Sequence, residues 1–230
     1  MTTFPSSPPD HDEIDIWTIP LDTNHDSTEA LKKLLDTQEL ERYDKLHPNH
    51  QHRYLVSHAA CRQILGGYTN TSAKQISYNK NDHGKPALDH ENPVYFNLTH
   101  SHDLAILAIS KYSEIGVDVE YFKNKASWKK IAQRFFTETE VSYLQNQPED
   151  MQENLFFQIW TRKEAYIKAI GTGLSTSLSS FDATTSKTIK PLNSTKSKAI
   201  WYQEDLNLST QYTGAVAQNT PIKKIRYYSY

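Results

Sequence analysis

Lys163, Glu164 and Lys168 fall within one short stretch, Trp160-Thr161-Arg162-Lys163-Glu164-Ala165-Tyr166-Ile167-Lys168. At a helical period, Leu155, Phe156, Ile159, Trp160, Tyr166, Ile167 and Ile170 form the apolar stripe of a helix that begins near Met151, and Lys163 lies in the middle of it. An unpaired ammonium there is costly, so either the stripe lines a cleft at this turn or an anion meets the lysine. Glu164 and Lys168 share one edge, four residues apart, and alone would also fit a surface ion pair. That reading leaves Lys163 unexplained. Upstream, Ile115-Gly116-Val117-Asp118-Val119-Glu120 reads as a strand with Val117 and Val119 on one face and Asp118 and Glu120 on the other. Two carboxylates on one face suit either a solvent-exposed edge, where their repulsion is cheap, or a hard divalent cation. Glu164 is the candidate third carboxylate.

The segment Leu98-Thr99-His100-Ser101-His102-Asp103 reads as a loop between the strands Val94 to Asn97 and Leu104 to Ser110. Its short donors suit an anion. Zinc at His100 and His102 is the alternative, and it lacks a third histidine or a cysteine nearby in sequence. Asn81-Asp82-His83-Gly84-Lys85-Pro86 marks an exposed bend.

Around these groups, residues 1–10 read as a loose N-terminal arm and Ile14 to Pro20 as a first strand. Ser27 to Tyr43 carries helical spacing, and a second helix runs from about Gln51 to Leu65, stopped by Gly66 and Gly67. Arg62 interrupts the apolar face of that helix much as Lys163 interrupts its own. His58 and Cys61 read as core residues. Thr137-Glu138-Thr139-Glu140 is a capping box that starts a helix through Tyr143. Gly171 and Gly173 end the Trp160 helix, a short strand surrounds Phe181, and Ile200 to Gln203, Tyr212 to Ala217 and Ile222 to Tyr228 have strand composition. The order strand, short helix, long helix, strands occurs twice. This order suggests an α+β fold of two similar halves, roughly 11–112 and 113–230, with the carboxylates in the second half and the His100 loop meeting them where the halves join.

With 230 residues, 37% of them hydrophobic, the chain has material for one large core or two small ones. The single cysteine, Cys61, excludes an internal disulfide framework. No apolar run approaches the ~20 residues of a membrane span, and no basic-then-apolar leader opens the chain, so the expectation is a cytoplasmic protein without a membrane partner. Its 25 basic and 27 acidic side chains make no positive field for nucleic acid, so any anion is bound locally.

Taken together, Gly84-Lys85-Pro86, Phe96-Asn97-Leu98-Thr99-His100-Ser101, Gly116-Val117-Asp118-Val119-Glu120, Phe135-Phe136-Thr137-x-x-Glu140 and Trp160-x-x-Lys163-Glu164-Ala165-x-x-Lys168 resemble the Sfp-type 4'-phosphopantetheinyl transferases. The match runs from about Arg53 to Leu174. Two of its motifs, Gly-Val-Asp-Val-Glu and Trp-x-x-Lys-Glu-Ala-x-x-Lys, are specific in this order and separation. Thr99 departs from the serine that many relatives carry and keeps the hydroxyl.

The resemblance implies a monomer of two pseudo-symmetric α/β halves, with the active site and coenzyme A in the cleft between them, that moves the phosphopantetheine arm of coenzyme A to a serine of an apo acyl or peptidyl carrier protein and leaves 3',5'-ADP. It implies Mg²⁺, with Mn²⁺ as a substitute, on Asp118, Glu120 and Glu164. Glu164 would be the general base and Lys168 the group that stabilises the leaving 3',5'-ADP. Coenzyme A would be held by Arg53, Gly84, Lys85, Pro86, Thr99, His100, Asp118, Lys163 and Lys168, with Arg53 and Arg62 offered to the 3'-phosphate. Two rivals from other classes are a Mg²⁺-dependent phosphotransferase or phosphohydrolase that leaves the carrier unlabelled, and a silent carrier-binding module. The carrier is expected to dock on Lys123, Lys125, Lys129, Lys130 and Arg134 beside Phe135 and Phe136.

Overall fold

A computed structural model describes residues 5, 7–22, 27–91, 93–122, 127–185, 187–191 and 200–230. Strand β1 (Glu13–Pro20) leads through α1 (Thr28–Lys32) and α2 (Thr37–Lys45) into the long helix α3 (Pro48–Thr69). Strands β2 (Tyr78–Lys80), β3 (Pro86–Leu88), β4 (Tyr95–Ser101) and β5 (Leu104–Ser110) follow. The order then recurs: β6 (Ile115–Tyr121), α4 (Trp128–Phe135), α5 (Glu138–Gln145), the long α6 (Glu149–Ile170), and β7 (Phe181–Asp182), β8 (Thr188–Pro191), β9 (Trp201–Asp205) and β10 (Tyr212–Gln218). A last strand, β11 (Lys224–Ser229), closes the chain. The result is the mixed α+β fold expected.

Two main sheets form, in the orders β11-β1-β5-β4 and β6-β10-β9-β8-β7. Helix α3 covers one face of the first sheet over a core that includes Trp17, Leu55, Ala59, Ile64, Leu107 and Ile109. Between the two sheets lie Ile14, Ile16, Ile106, Val117, Val119 and Val216. Helix α6 covers the second sheet through Ala165, Tyr166, Ile167 and Ala169.

Edge strands β4 and β6 meet where the sheets adjoin, and side chains rather than a backbone ladder join them. Asn97 Oδ1 accepts from Val117 N at 2.9 Å and Ser101 Oγ accepts from Tyr121 N at 3.0 Å. Period-two alternation puts Asn97, Thr99 and Ser101 on this seam, so Thr99 faces Asp118.

Both intruding cations are resolved by one device. Arg62, fully buried on α3, pairs at 2.5 Å with Asp36 Oδ2 and at 2.5 Å with Glu39 Oε2, the two members of the α2 capping box, and donates to Ala73 O and Ile76 O. Lys163, fully buried on α6, pairs at 2.8 Å with Glu140, the capping-box glutamate of α5, and donates to Leu178 O and Phe181 O at 2.7 Å each. A buried charge needs a counter-charge and filled hydrogen-bond sites, and each has both.

Several expectations are corrected. Helix α3 runs through Gly66 and Gly67 instead of stopping there; a Cβ on Gly66 would sit 2.4 Å from Thr71 O, so close packing requires this glycine. The helical stretch of 27–43 is broken by Asp36, which caps α2 instead of continuing α1. The anion loop Leu98 to Asp103 is mostly strand: Thr99, His100 and Ser101 belong to β4, and only His102 and Asp103 form the turn into β5. β11, placed in the 113–230 half, pairs parallel with β1 in the sheet of the other half.

Candidate active site

The site is built where α6 crosses β6. A Cβ on Gly116 would stand 2.2 Å from both Ala165 O and Ala169 N, so the absence of a side chain lets the helix lie directly on the strand. That approach brings Lys168 to Asp118. Lys168 Nζ donates to Asp118 Oδ1 at 2.7 Å and to Thr99 Oγ1 at 2.9 Å, and the Thr99 hydroxyl lies 3.4 Å from the same Asp118 oxygen. Three elements, β4, β6 and α6, thus converge through Thr99, Asp118 and Lys168. Gly171, left-handed at φ 68, ends the helix just beyond.

Asp118 is buried, and its Oδ2 has no hydrogen-bond partner. Burial raises its pKa to about 6; Lys168 opposes the rise, and the charges of Glu120 and Glu164 add to it. Glu164, half-buried, is raised by desolvation, with Lys168 opposing and Glu120 adding. Glu120 Oε2 is 3.4 Å from Ser101 Oγ. The three carboxylates are therefore electrostatic neighbours, with Glu120 acting on both Asp118 and Glu164, the situation a cation relieves. Among the described residues no group of three histidine, cysteine, aspartate or glutamate side chains already stands as a metal cage. Hard carboxylate oxygens, one of them buried and orphaned, are nonetheless the donor chemistry that Mg²⁺ takes.

His100, at the surface of β4, has its pKa lowered by desolvation first and then by its neighbours His58, Lys168, Arg53 and His50. Lys168 and Arg53 bring positive charge close to His100. The Arg53 guanidinium is held by Asp103 at 2.6 Å. His58 bonds Glu39 Oε1 at 3.0 Å and stacks on Tyr54, so it is satisfied as expected, but it is half-buried rather than a core residue. The Gly84-Lys85-Pro86 bend lies at the C-terminal end of α6: Asn81 Nδ2 donates to Gly171 O at 2.9 Å, and Lys85 Nζ reaches Glu114 Oε2 at 2.5 Å and Ala169 O at 2.8 Å. The Lys85 ammonium is thus used to dock this bend.

Two expected ligands are not in the cleft. Lys163 is wholly enclosed by Glu140 and two carbonyls, and Arg62 by Asp36, Glu39 and two carbonyls, so neither reaches a phosphate. In the expected docking patch Phe136 is buried against Phe156 and Trp160, Lys129 and Arg134 are exposed, and Lys123 and Lys125 lie outside the described residues. Sequence reasoning missed Ser101 as the partner of Glu120; period-two spacing from Thr99 is the signal that would have found it. Cys61 is buried and its thiol is pushed up to about 12 by desolvation, consistent with a core role.

The family model of the 4'-phosphopantetheinyl transferase superfamily matches residues 114–217, the span that carries β6, α6 and the three carboxylates. The chain is 35% identical over 168 residues to 4'-phosphopantetheinyl transferase HetI of Nostoc sp., a match covering 71% of each protein. The chain belongs to the 4'-phosphopantetheinyl transferase superfamily. Other transferases of this name agree. Against ffp of Bacillus subtilis it is 30% identical over 159 residues, 69% of this chain and 70% of that one. Against Sfp of Bacillus subtilis it is 33% identical over 135 residues, a match that spans 59% of either chain. The matched span of this phosphopantetheinyl transferase includes Asp118, Glu120, Glu164 and Lys168, and Thr99 precedes it.

Proposed function

We propose that the chain binds coenzyme A in the cleft between β4, β6 and α6 and transfers its 4'-phosphopantetheine arm to a serine of an apo acyl or peptidyl carrier protein. The observation that carries this reading is the Thr99, Asp118 and Lys168 contact beside the two further carboxylates, Glu120 and Glu164. Arg53, His100, Thr99, Lys168 and the backbone around Gly84, Lys85 and Pro86 bind and orient the nucleotide and its pyrophosphate. Asp118, Glu120 and Glu164 would hold Mg²⁺, or Mn²⁺, which when bound supplies charge neutralisation on the pyrophosphate.

In the reaction, the carrier serine oxygen forms a bond to the phosphorus of the pantetheine-bearing phosphate, and the bond from that phosphorus to the bridging pyrophosphate oxygen breaks, releasing 3',5'-ADP. Glu164, whose pKa is raised, accepts the serine proton. Lys168 holds the departing phosphate as its charge grows. A single chain acting in the cytoplasm fits this reading, with docking on the exposed face of Lys129, Lys130 and Arg134 on α4. Incubation with fluorescent coenzyme A, Mg²⁺ and a panel of apo carriers tests it: a labelled carrier serine is expected, and phosphate release without labelling would point to a phosphohydrolase instead.

A further inference from the structure

Two nitrogens of the Arg53 guanidinium are already engaged. Its Nε and Nη2 donate to Asp103 Oδ1 at 3.1 and 2.6 Å. The other oxygen, Asp103 Oδ2, lies 2.6 Å from His102 Nδ1. Both acidic contacts come from the two-residue turn between β4 and β5, where His102 takes a left-handed φ of 53 at the position glycine usually fills. The His102 ring stacks on Tyr121 at 4.5 Å, and Tyr121 follows Glu120 in β6. The turn is therefore fixed from below, and its carboxylate is presented to Arg53 from a set position.

Arg53 and Lys168 both lie close enough to His100 to act on it electrostatically. Two such cations suit a polyanion, and Asp103 places an opposing charge directly on one of them. We propose that Asp103 sets the affinity for coenzyme A by occupying Arg53 in the free protein and yielding it to a phosphate of the substrate; this rests on the reading that coenzyme A binds in this cleft. The exchange is favourable because the Arg53–Asp103 pair is about one-third exposed on both sides, 34% and 31%, and such pairs are weak. A phosphate dianion is the stronger partner for the guanidinium fork. The fraction of molecules with Arg53 released scales the apparent affinity, so the counter-ion weakens binding by a small and definite factor.

Calorimetric titration with coenzyme A at low ionic strength tests this without relying on turnover. Asp103→Asn is expected to tighten Kd about two- to fivefold, the range of an exposed ion pair. Asp22→Asn removes the same charge from the wall of the cavity of about 450 Å³ that Asp22 and Asp103 both line, and is expected to change Kd less. In an Arg53→Ala background the gain from Asp103→Asn is expected to vanish. An unchanged or weaker Kd in Asp103→Asn, an equal gain in Asp22→Asn, or a gain that persists without Arg53 would each overturn the proposal while leaving the transferase reading intact. A wild-type chain that bound no coenzyme A would overturn that reading, and this proposal with it.

Discussion

At the scale of single residues, the account turns on Asp118 and Lys168. Asp118 is a buried carboxylate with one oxygen satisfied by Lys168 and Thr99 and the other unsatisfied. Replacing it by asparagine keeps the shape and removes the repulsion with Glu120 and Glu164. The expected outcome for Asp118→Asn is at least a ~100-fold loss of Mg²⁺-supported transfer, the scale of one preorganised electrostatic contact, with a near-unchanged melting temperature. Near-wild-type carrier labelling would contradict the metal assignment. Lys168→Ala is expected to lower kcat by roughly 10²-fold and coenzyme A affinity by less than tenfold, because its charge matters most as the leaving phosphate gains charge. Pre-steady-state labelling alongside direct titration separates the two, and equal losses in both would count against the leaving-group role.

At the scale of elements, Lys163 shows what one sequence gives and withholds. The helical period located a cation inside the apolar stripe and left either a cleft or an anion to explain it, with coenzyme A pyrophosphate as the expected anion. The anion is Glu140, which the capping-box spacing had already singled out for another purpose. Nothing local joins the two, since a periodicity argument covers one helix and the contact spans two. The missed signal is the spacing itself: Glu39 to Arg62 and Glu140 to Lys163 are both separated by 23 residues. The longer strands, the long helices and the β6 carboxylate pattern were legible because alternation and the 3.6-residue period are local properties, whereas the short β2, β3 and β8 are too brief to show a period. The return of β11 to β1 was not, because strand composition says nothing about which edge a strand joins. Lys163→Met is expected to destabilise the fold by about 3–5 kcal/mol in urea unfolding, since it strands a fully buried glutamate. Adding Glu140→Gln is expected to recover part of that loss. Unchanged stability with weakened coenzyme A binding would return this lysine to the cleft.

At the scale of the whole molecule, we propose that the two halves, 11–112 and 113–230 less the final strand, are copies of one unit. Each has a short helix whose capping-box acid neutralises a buried cation on the following long helix, and the catalytic seam runs between their edge strands. β11 then ties the ends of the chain together: Arg226 holds the fully buried Asp15 of β1 at 2.5 Å, with Tyr68 on its other oxygen. Arg226→Ala is expected to cost roughly 2–4 kcal/mol in chemical denaturation, because a buried carboxylate loses its counter-charge; a loss below 0.5 kcal/mol, the scale of an ordinary surface substitution, would show that β11 is dispensable. The central claim is phosphopantetheinyl transfer at the β4–β6–α6 seam. Intact-mass spectrometry of an apo carrier protein incubated with coenzyme A and Mg²⁺ tests it most directly. The account requires a mass gain of one phosphopantetheine arm on the carrier serine with an equal amount of 3',5'-ADP, both lost in Asp118→Asn; an unmodified panel of carriers, or modification that survives that substitution, would contradict it.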